Sequence, residues 1–349
     1  MAYRIVFIAL GVFAYAWTSL SAPATLAPPK TQAVWVYPNT TSANTITDPA
    51  ARQRFFTSAA ASRINMIYVS VYRSTPNSNG RQLYDEGTLA NFIGAAHAAG
   101  MQVYAEYGTP DWYSSGCGTA ASPSFAAKRL LEIAAYNATN PRAVIAPEGG
   151  PASWYVGAMF DGVILDIEPS RPVNYPALLA FYQCAQGIAV QNHYGLAAAV
   201  SAFWDDLATF NGATKEAYKH IVDLRLNNVV VMGYRNYAGT RFCSQGDGII
   251  CLDQDIVTYA NHNTMVLVGL ETTNPATAGL LDKESFFVKG QDSLNHEAQA
   301  VHDYFASSRL NFGGYAIDSY QDAYLVGAGA WSSANPAFPT GSPRPISPR

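Results

Sequence analysis

The chain has 349 residues, 49% of them hydrophobic and 13% charged, with a formal net charge of −4. That is enough apolar material for one large core and too little charge for a disordered chain. No basic run is present, which argues against nucleic acid as a partner, because such binding needs clustered Lys and Arg to displace counterions.

The chain opens with Arg4, the apolar stretch Ile5 to Trp17 and small residues around Ser19 to Ala24. This three-part pattern predicts a secretory signal peptide over 1–24 and a secreted, extracellular or periplasmic protein. A membrane anchor is the alternative, but the stretch falls short of the ~20 apolar residues a span requires, so no stable membrane insertion is expected. Residues 25–334 read as one catalytic domain. Residues 335–349, Pro- and Ser-rich without apolar period, read as a flexible tail.

Eight β-like runs follow at fairly even spacing: Ala33–Tyr37, Met66–Tyr72, Met101–Tyr107, Gly162–Glu168, Leu196–Trp204, Val229–Tyr234, Met265–Glu271 and Gly314–Tyr320. Most are separated by segments of helical spacing, the signature of parallel βα units, and eight such units close a (β/α)₈ TIM barrel. Thr47-Asp48-Pro49 predicts the start of the first helix and Gly100 the end of the second. Further helices are predicted at about Ser124–Tyr136, Tyr175–His193, Thr214–Leu224, Asp253–Asn261 and Asn295–Ser308. A helix after the eighth run has no clear pattern. An open doubly wound sheet is the competing α/β architecture, but it usually carries a Gly-rich phosphate turn where this chain has Tyr37-Pro38-Asn39.

Export makes the four cysteines legible as disulfides. Of the three possible pairings, Cys117 with Cys184 and Cys243 with Cys251 is preferred, the latter closing a small loop. Asn39 and Asn137 each begin an Asn-x-Thr glycosylation pattern.

In a barrel of this kind the chemistry sits at the carboxyl ends of the strands. Strand four finishes Asp161-Gly-Val-Ile-Leu-Asp166-Ile-Glu168, strand six Met232-Gly-Tyr234-Arg235, strand seven at Glu271, and strand eight Asp318-Ser-Tyr320. Alternation puts Asp166 and Glu168 on one face, toward the barrel axis, and Val163, Leu165 and Ile167 on the other. Two carboxyls that close cannot easily both ionise, so one keeps its proton and can act as a general acid. The structural alternative is that they cap helices or pair with Arg235.

The strand-four segment resembles the Asp-Gly-x-x-x-Asp-x-Glu signature of family 18 glycoside hydrolases, the chitinases and endo-β-N-acetylglucosaminidases, and Met232-Gly-Tyr234 resembles their strand-six Met-x-Tyr. The resemblance implies Glu168 as acid, Asp166 as the group orienting the substrate acetamido, and Tyr234 as support for the oxazolinium. The family usually has a further acid where this chain has Ile164 and an Asp where it has Arg235. It also carries a strand-eight Trp that has no counterpart here. A second resemblance, to retaining glycosidases with an acid/base after strand four and a nucleophile after strand seven, implies Glu168 and Glu271. Lysozymes with an Asp-x-Glu strand ending are a third likeness.

Substrate binding is expected from Tyr37, Glu106, Trp112, Trp204, Arg235, Asp318 and Tyr320, whose rings can stack on sugars and whose polar groups can bind hydroxyls. Trp112 and Trp204 are the preferred platforms. The expected partner is an oligo- or polysaccharide, bound by a monomer. The six histidines, at 97, 193, 220, 262, 296 and 302, fall mostly in or beside predicted helices, so no metal and no other cofactor is expected. A sugar-binding barrel without turnover is the non-enzymatic alternative.

Overall fold

The computed structural model describes residues 31–38, 44–73, 82–140, 143–145, 154–239, 247–259, 264–307 and 311–319. The expected leader 1–24, the tail 335–349 and any helix after strand eight lie outside them, as do Asn39, Cys243 and Tyr320. Among the described residues, eight parallel strands close a barrel in which each pairs with the next and the last with the first. They are Thr31–Val36, Met66–Ser70, Gln102–Tyr107, Gly162–Asp166, Gly195–Ser201, Asn228–Met232, Met265–Glu271 and Phe312–Asp318. Every predicted run supplies one of these strands, so the (β/α)₈ expectation holds.

Alternation along the strands builds two concentric cores. Ala33, Trp35, Tyr68, Tyr104, Ile164, Val230 and Leu267 fill the barrel interior. The intervening Val34, Val36, Val163, Leu165 and Ile167 point outward into a larger cluster shared with the helices. Each such side chain, fully buried, contributes roughly 1.5–3 kcal/mol.

The helices start where short polar side chains can accept from backbone N–H groups that lack an intrahelical partner. Asp48 accepts from Ala50 ahead of Pro49–Ala61, Asp85 from Thr88 ahead of Glu86–Ala98, and Ser124 from Ala127 ahead of Phe125–Thr139. Tyr175–Gln191 is capped by Asn174 in the same way. The predicted helix Thr214–Leu224 is corrected. Thr214 to Glu216 belong to a hairpin in which Leu207–Phe210 pairs antiparallel with Ala213–Glu216, and only Ala217–Asp223 is helical. The next helix begins earlier than predicted, at Ile249, and the last at Gly290.

Cys117 and Cys184 form a disulfide with Cα atoms 6.4 Å apart, as expected. Cys251 is also oxidised. Asn137 is corrected as a glycan acceptor: it is 5% exposed, and its amide donates to the Phe160 carbonyl at 3.0 Å and accepts from the Phe160 N–H at 2.8 Å. Among the described residues no helix is long and apolar enough to cross a membrane.

Candidate active site

Continuing the inner parity past the last apolar layer brings Tyr37, Glu106, Asp166, Tyr234, Glu271 and Asp318 to one end of the barrel, the carboxyl end of the strands. Direct cross-strand pairing sets Glu106 beside Ile164, one inward step below Asp166, and sets Glu271 beside Asp318. The groups lie within electrostatic reach of one another. Burial raises the Tyr234 hydroxyl well above its ordinary pKa, and the charges of Asp318, Glu271, Asp166 and Glu168 raise it further. Tyr37 is raised in the same way, by burial and then by Asp318, Asp166 and Glu106.

Asp166 ends the fourth strand. Its Oδ1 is buried without a hydrogen-bond partner, and its pKa is raised well above the carboxylate range by burial, then by Glu106 and Glu168. The chain beside it is Gly108, where an added methyl would sit 1.7 Å from the Asp166 carbonyl oxygen. Only a glycine there lets the two strand ends approach so closely.

Glu168 stands two residues beyond, exposed on the rim of the mouth. Partial burial raises its carboxyl, and its charge in turn raises Asp166. One of the two carboxyls was expected to keep its proton; the deeper one carries the larger shift, and its strongest charged neighbour is Glu106 from the adjacent strand. Glu271 is 3% exposed and accepts the Thr273 N–H at 2.6 Å, folding back on the turn after its own strand.

Arg235 is corrected. Its bonds among the described residues go elsewhere than to the mouth acids. Its guanidinium bonds Asp247, lies 3.6 Å from Glu284 and donates to the Tyr234 carbonyl at 2.7 Å. Arg235 holds the Asp247 carboxyl well below the usual range. Trp204 is corrected as a platform: it is 4% exposed and lies edge-on to Tyr175, with centroids 6.1 Å apart. Trp112 is also largely buried, but it lines an open cleft of about 360 Å³ beside Glu106.

Two features escaped sequence reasoning. Trp35 fills the barrel interior against Tyr68, and its place on the inner parity of strand one is the signal that could have found it. Asp253, fully buried with both oxygens unpartnered, lies behind the strand-six motif, where a methyl on Gly233 would sit 1.8 Å from its Oδ1. Burial raises its pKa well above the ordinary value, against the lowering effect of Arg235. Among the described residues no group of three or more His, Cys, Asp and Glu could hold a metal ion. His97 instead bonds Asp161 at 2.8 Å and the Gly157 carbonyl at 2.5 Å.

No known protein family and no curated protein matches the chain. Solved structures do match. A family 18 chitinase from Pseudoalteromonas aurantia has 11% identity over 84% of this chain and 96% of its own, with a TM-score of 0.51. The second catalytic domain of the Ostrinia furnacalis group II chitinase, in complex with penta-N-acetylchitooctaose, has 11% identity over 85% and 91%, with a TM-score of 0.51. A xylanase-α-amylase inhibitor protein, in complex with trehalose, has 11% identity over 83% and 93%, with a TM-score of 0.48. The chain thus shares, in divergent form, the barrel fold of family 18 chitinases.

Proposed function

We propose that the protein is a secreted glycoside hydrolase that cleaves an N-acetylhexosamine-containing glycan by a substrate-assisted, retaining route. The observation that carries the reading is the arrangement of Asp166 and Glu168 at the barrel mouth. One carboxyl is deep, with its pKa well above normal; the other is at the rim, less strongly raised; and among the described residues no Lys or Arg figures in the shift of either. A rim carboxyl that keeps its proton to higher pH than an ordinary Glu can donate it to a departing sugar oxygen.

In this reading Glu168 protonates the glycosidic oxygen as the bond to the anomeric carbon breaks. The acetamido carbonyl oxygen attacks that carbon from the opposite face, Asp166 holds the acetamido N–H, and the Tyr234 hydroxyl supports the oxazolinium. Water then opens the ring and gives its proton to Glu168, which restores the acid. Preorganised donors and acceptors of this kind lower the barrier without reorganising during the reaction. The covalent route through Glu271 has less support, since that carboxylate is turned onto Thr273. The carboxylate separation that a covalent route needs is about 5 Å.

The Glu168→Gln variant tests the reading. Its kcat on N-acetylglucosamine oligomers should fall by about 10³-fold while its affinity for them survives, in line with the usual weight of a general acid. Unchanged turnover would remove Glu168 from the reaction. Binding without hydrolysis by the unaltered protein would make the barrel a lectin.

A further inference from the structure

Strand six ends at Met232, so Tyr234 stands two residues beyond the last paired position, Met232 with Ser201. Between them lies Gly233, the residue type that constrains the backbone least. We propose that Arg235 is the positioning residue for Tyr234: its guanidinium holds the Tyr234 carbonyl and so fixes where the phenol stands among the mouth acids. The proposal rests on the reading of Tyr234 as a partner in the reaction and deepens it.

The first observation is the hold itself. Arg235 is 8% exposed; its Nη1 donates to the Tyr234 carbonyl at 2.7 Å and lies 3.6 Å from Glu284, while its Nε bonds Asp247. The donors of a guanidinium form a rigid planar fork, so carboxylates that anchor one edge also aim the donor that meets the carbonyl.

The second is that the anchors are themselves tied to strand seven. Lys283 also bonds Asp247, at 3.1 Å. The Asn236 N–H donates to the Lys283 carbonyl at 2.7 Å, and its side-chain amide donates to the carbonyls of Asp282 and Ser285 at 2.7 and 2.9 Å. Lys289 returns a bond to the Asn236 carbonyl at 2.9 Å. This segment holds in turn to the end of strand seven: the Phe286 N–H donates to the Glu271 carbonyl at 2.9 Å and the Ser285 hydroxyl to the Thr273 carbonyl at 2.7 Å. Arg235 thereby refers the position of Tyr234 to the neighbouring strand.

The third is the closeness of the seat. A methyl on Gly269 of strand seven would sit 3.0 Å from the Tyr234 Cε1, so the ring lies against bare backbone. On the other side, a methyl on Gly233 would meet the Asp253 Oδ1 at 1.8 Å, which leaves the end of strand six no room to retreat. A turn of the peptide that Arg235 holds would carry the phenol off that seat, and a reacting group misplaced by about 1 Å can cost up to about 10²-fold in rate.

The test is a double-mutant cycle on hydrolysis of N-acetylglucosamine oligomers. Arg235→Gln should lower kcat about tenfold and leave KM within about twofold. In a Tyr234→Phe background the same change should cost less than about twofold, because the hydroxyl that Arg235 places is gone. Equal losses in both backgrounds would make Arg235 a stabiliser of the loops alone and overturn the proposal. Arg235→Lys keeps the charge beside Asp247 and Glu284 and loses the fork, so its kcat should stay near that of Arg235→Gln; full recovery also overturns the proposal. A crystal structure of Arg235→Gln supplies a readout without turnover, with Arg235→Lys in its place should the Gln variant not fold. The Tyr234 ring should leave Gly269 by about 1 Å or more, and a ring that has not moved overturns the proposal whatever the kinetics. A displaced ring in a protein that hydrolyses nothing, or full kcat in Tyr234→Phe, defeats the catalytic reading and leaves the positioning in place.

Discussion

The two ends of this barrel use polar side chains in opposite ways. At the amino end, such groups saturate the structure: Asn65 accepts the Gln32 N–H at 2.9 Å, Asp161 accepts the Val103 N–H at 2.7 Å, and Asn228 accepts the Tyr68 hydroxyl at 2.7 Å inside the barrel. At the carboxyl end, Asp166 keeps a buried oxygen with no partner and shares its surroundings with other acids. A buried polar group stabilises only when satisfied, and one left unsatisfied costs free energy. One end therefore holds the fold, and the other stores chemistry at the fold's expense.

The sharpest way to break that contrast, after Glu168→Gln, is Asp166→Asn. Steady-state kinetics should show kcat lowered by about 10²-fold, the low end for loss of a positioned acid or base group. The same variant should be more stable at neutral pH. The native state holds the Asp166 proton more tightly than the unfolded chain does, so wild-type stability from this group is complete below about pH 4 and is lost as pH rises toward the folded value. Thermal melts should show the advantage of Asp166→Asn opening as pH rises above about 4. An equal or lower Tm for the variant at every pH would mean that Asp166 is satisfied after all.

The opposite end should respond in reverse. Asn228→Ala leaves the Tyr68 hydroxyl buried without its acceptor, so denaturant unfolding should record a loss of about 1–3 kcal/mol. Its kcat/KM should stay within about twofold, because the change lies at the amino end of the strands, away from the chemistry. A large kinetic loss there would dissolve the division of labour. The smallest expected effect is that of EDTA, which should leave hydrolysis unchanged; abolition with rescue by zinc would point to metal chemistry instead.

Much of this was legible in the residues. Val34, Val36, Val163 and Leu165 alternate with inward-facing neighbours, and period two in eight runs was enough to fix the barrel and the inward direction of Asp166. The misreadings share a cause in long-range contact. Lys215 and Glu216 sit in a good helical pattern, yet pairing with Leu207 and Ala208 makes that stretch a hairpin. Arg235 gave no local sign that Asp247 and Glu284 would claim its charge, and Trp204 gave none that Tyr175 would lie against it. The cleft is assembled from strand three, the turn after it and a separate helix, so no single window of sequence contains it.

The Cys117–Cys184 bridge joins the segment just past Trp112 to the helix that follows the two mouth acids, across 67 residues. In the chain-entropy account a crosslink of that span removes about 4 kcal/mol of freedom from the unfolded chain. Material made in a reducing cytosol would lose that contribution while keeping every acid in its place. Such material would present a softened wall beside Trp112, so variants are to be compared only in oxidised protein.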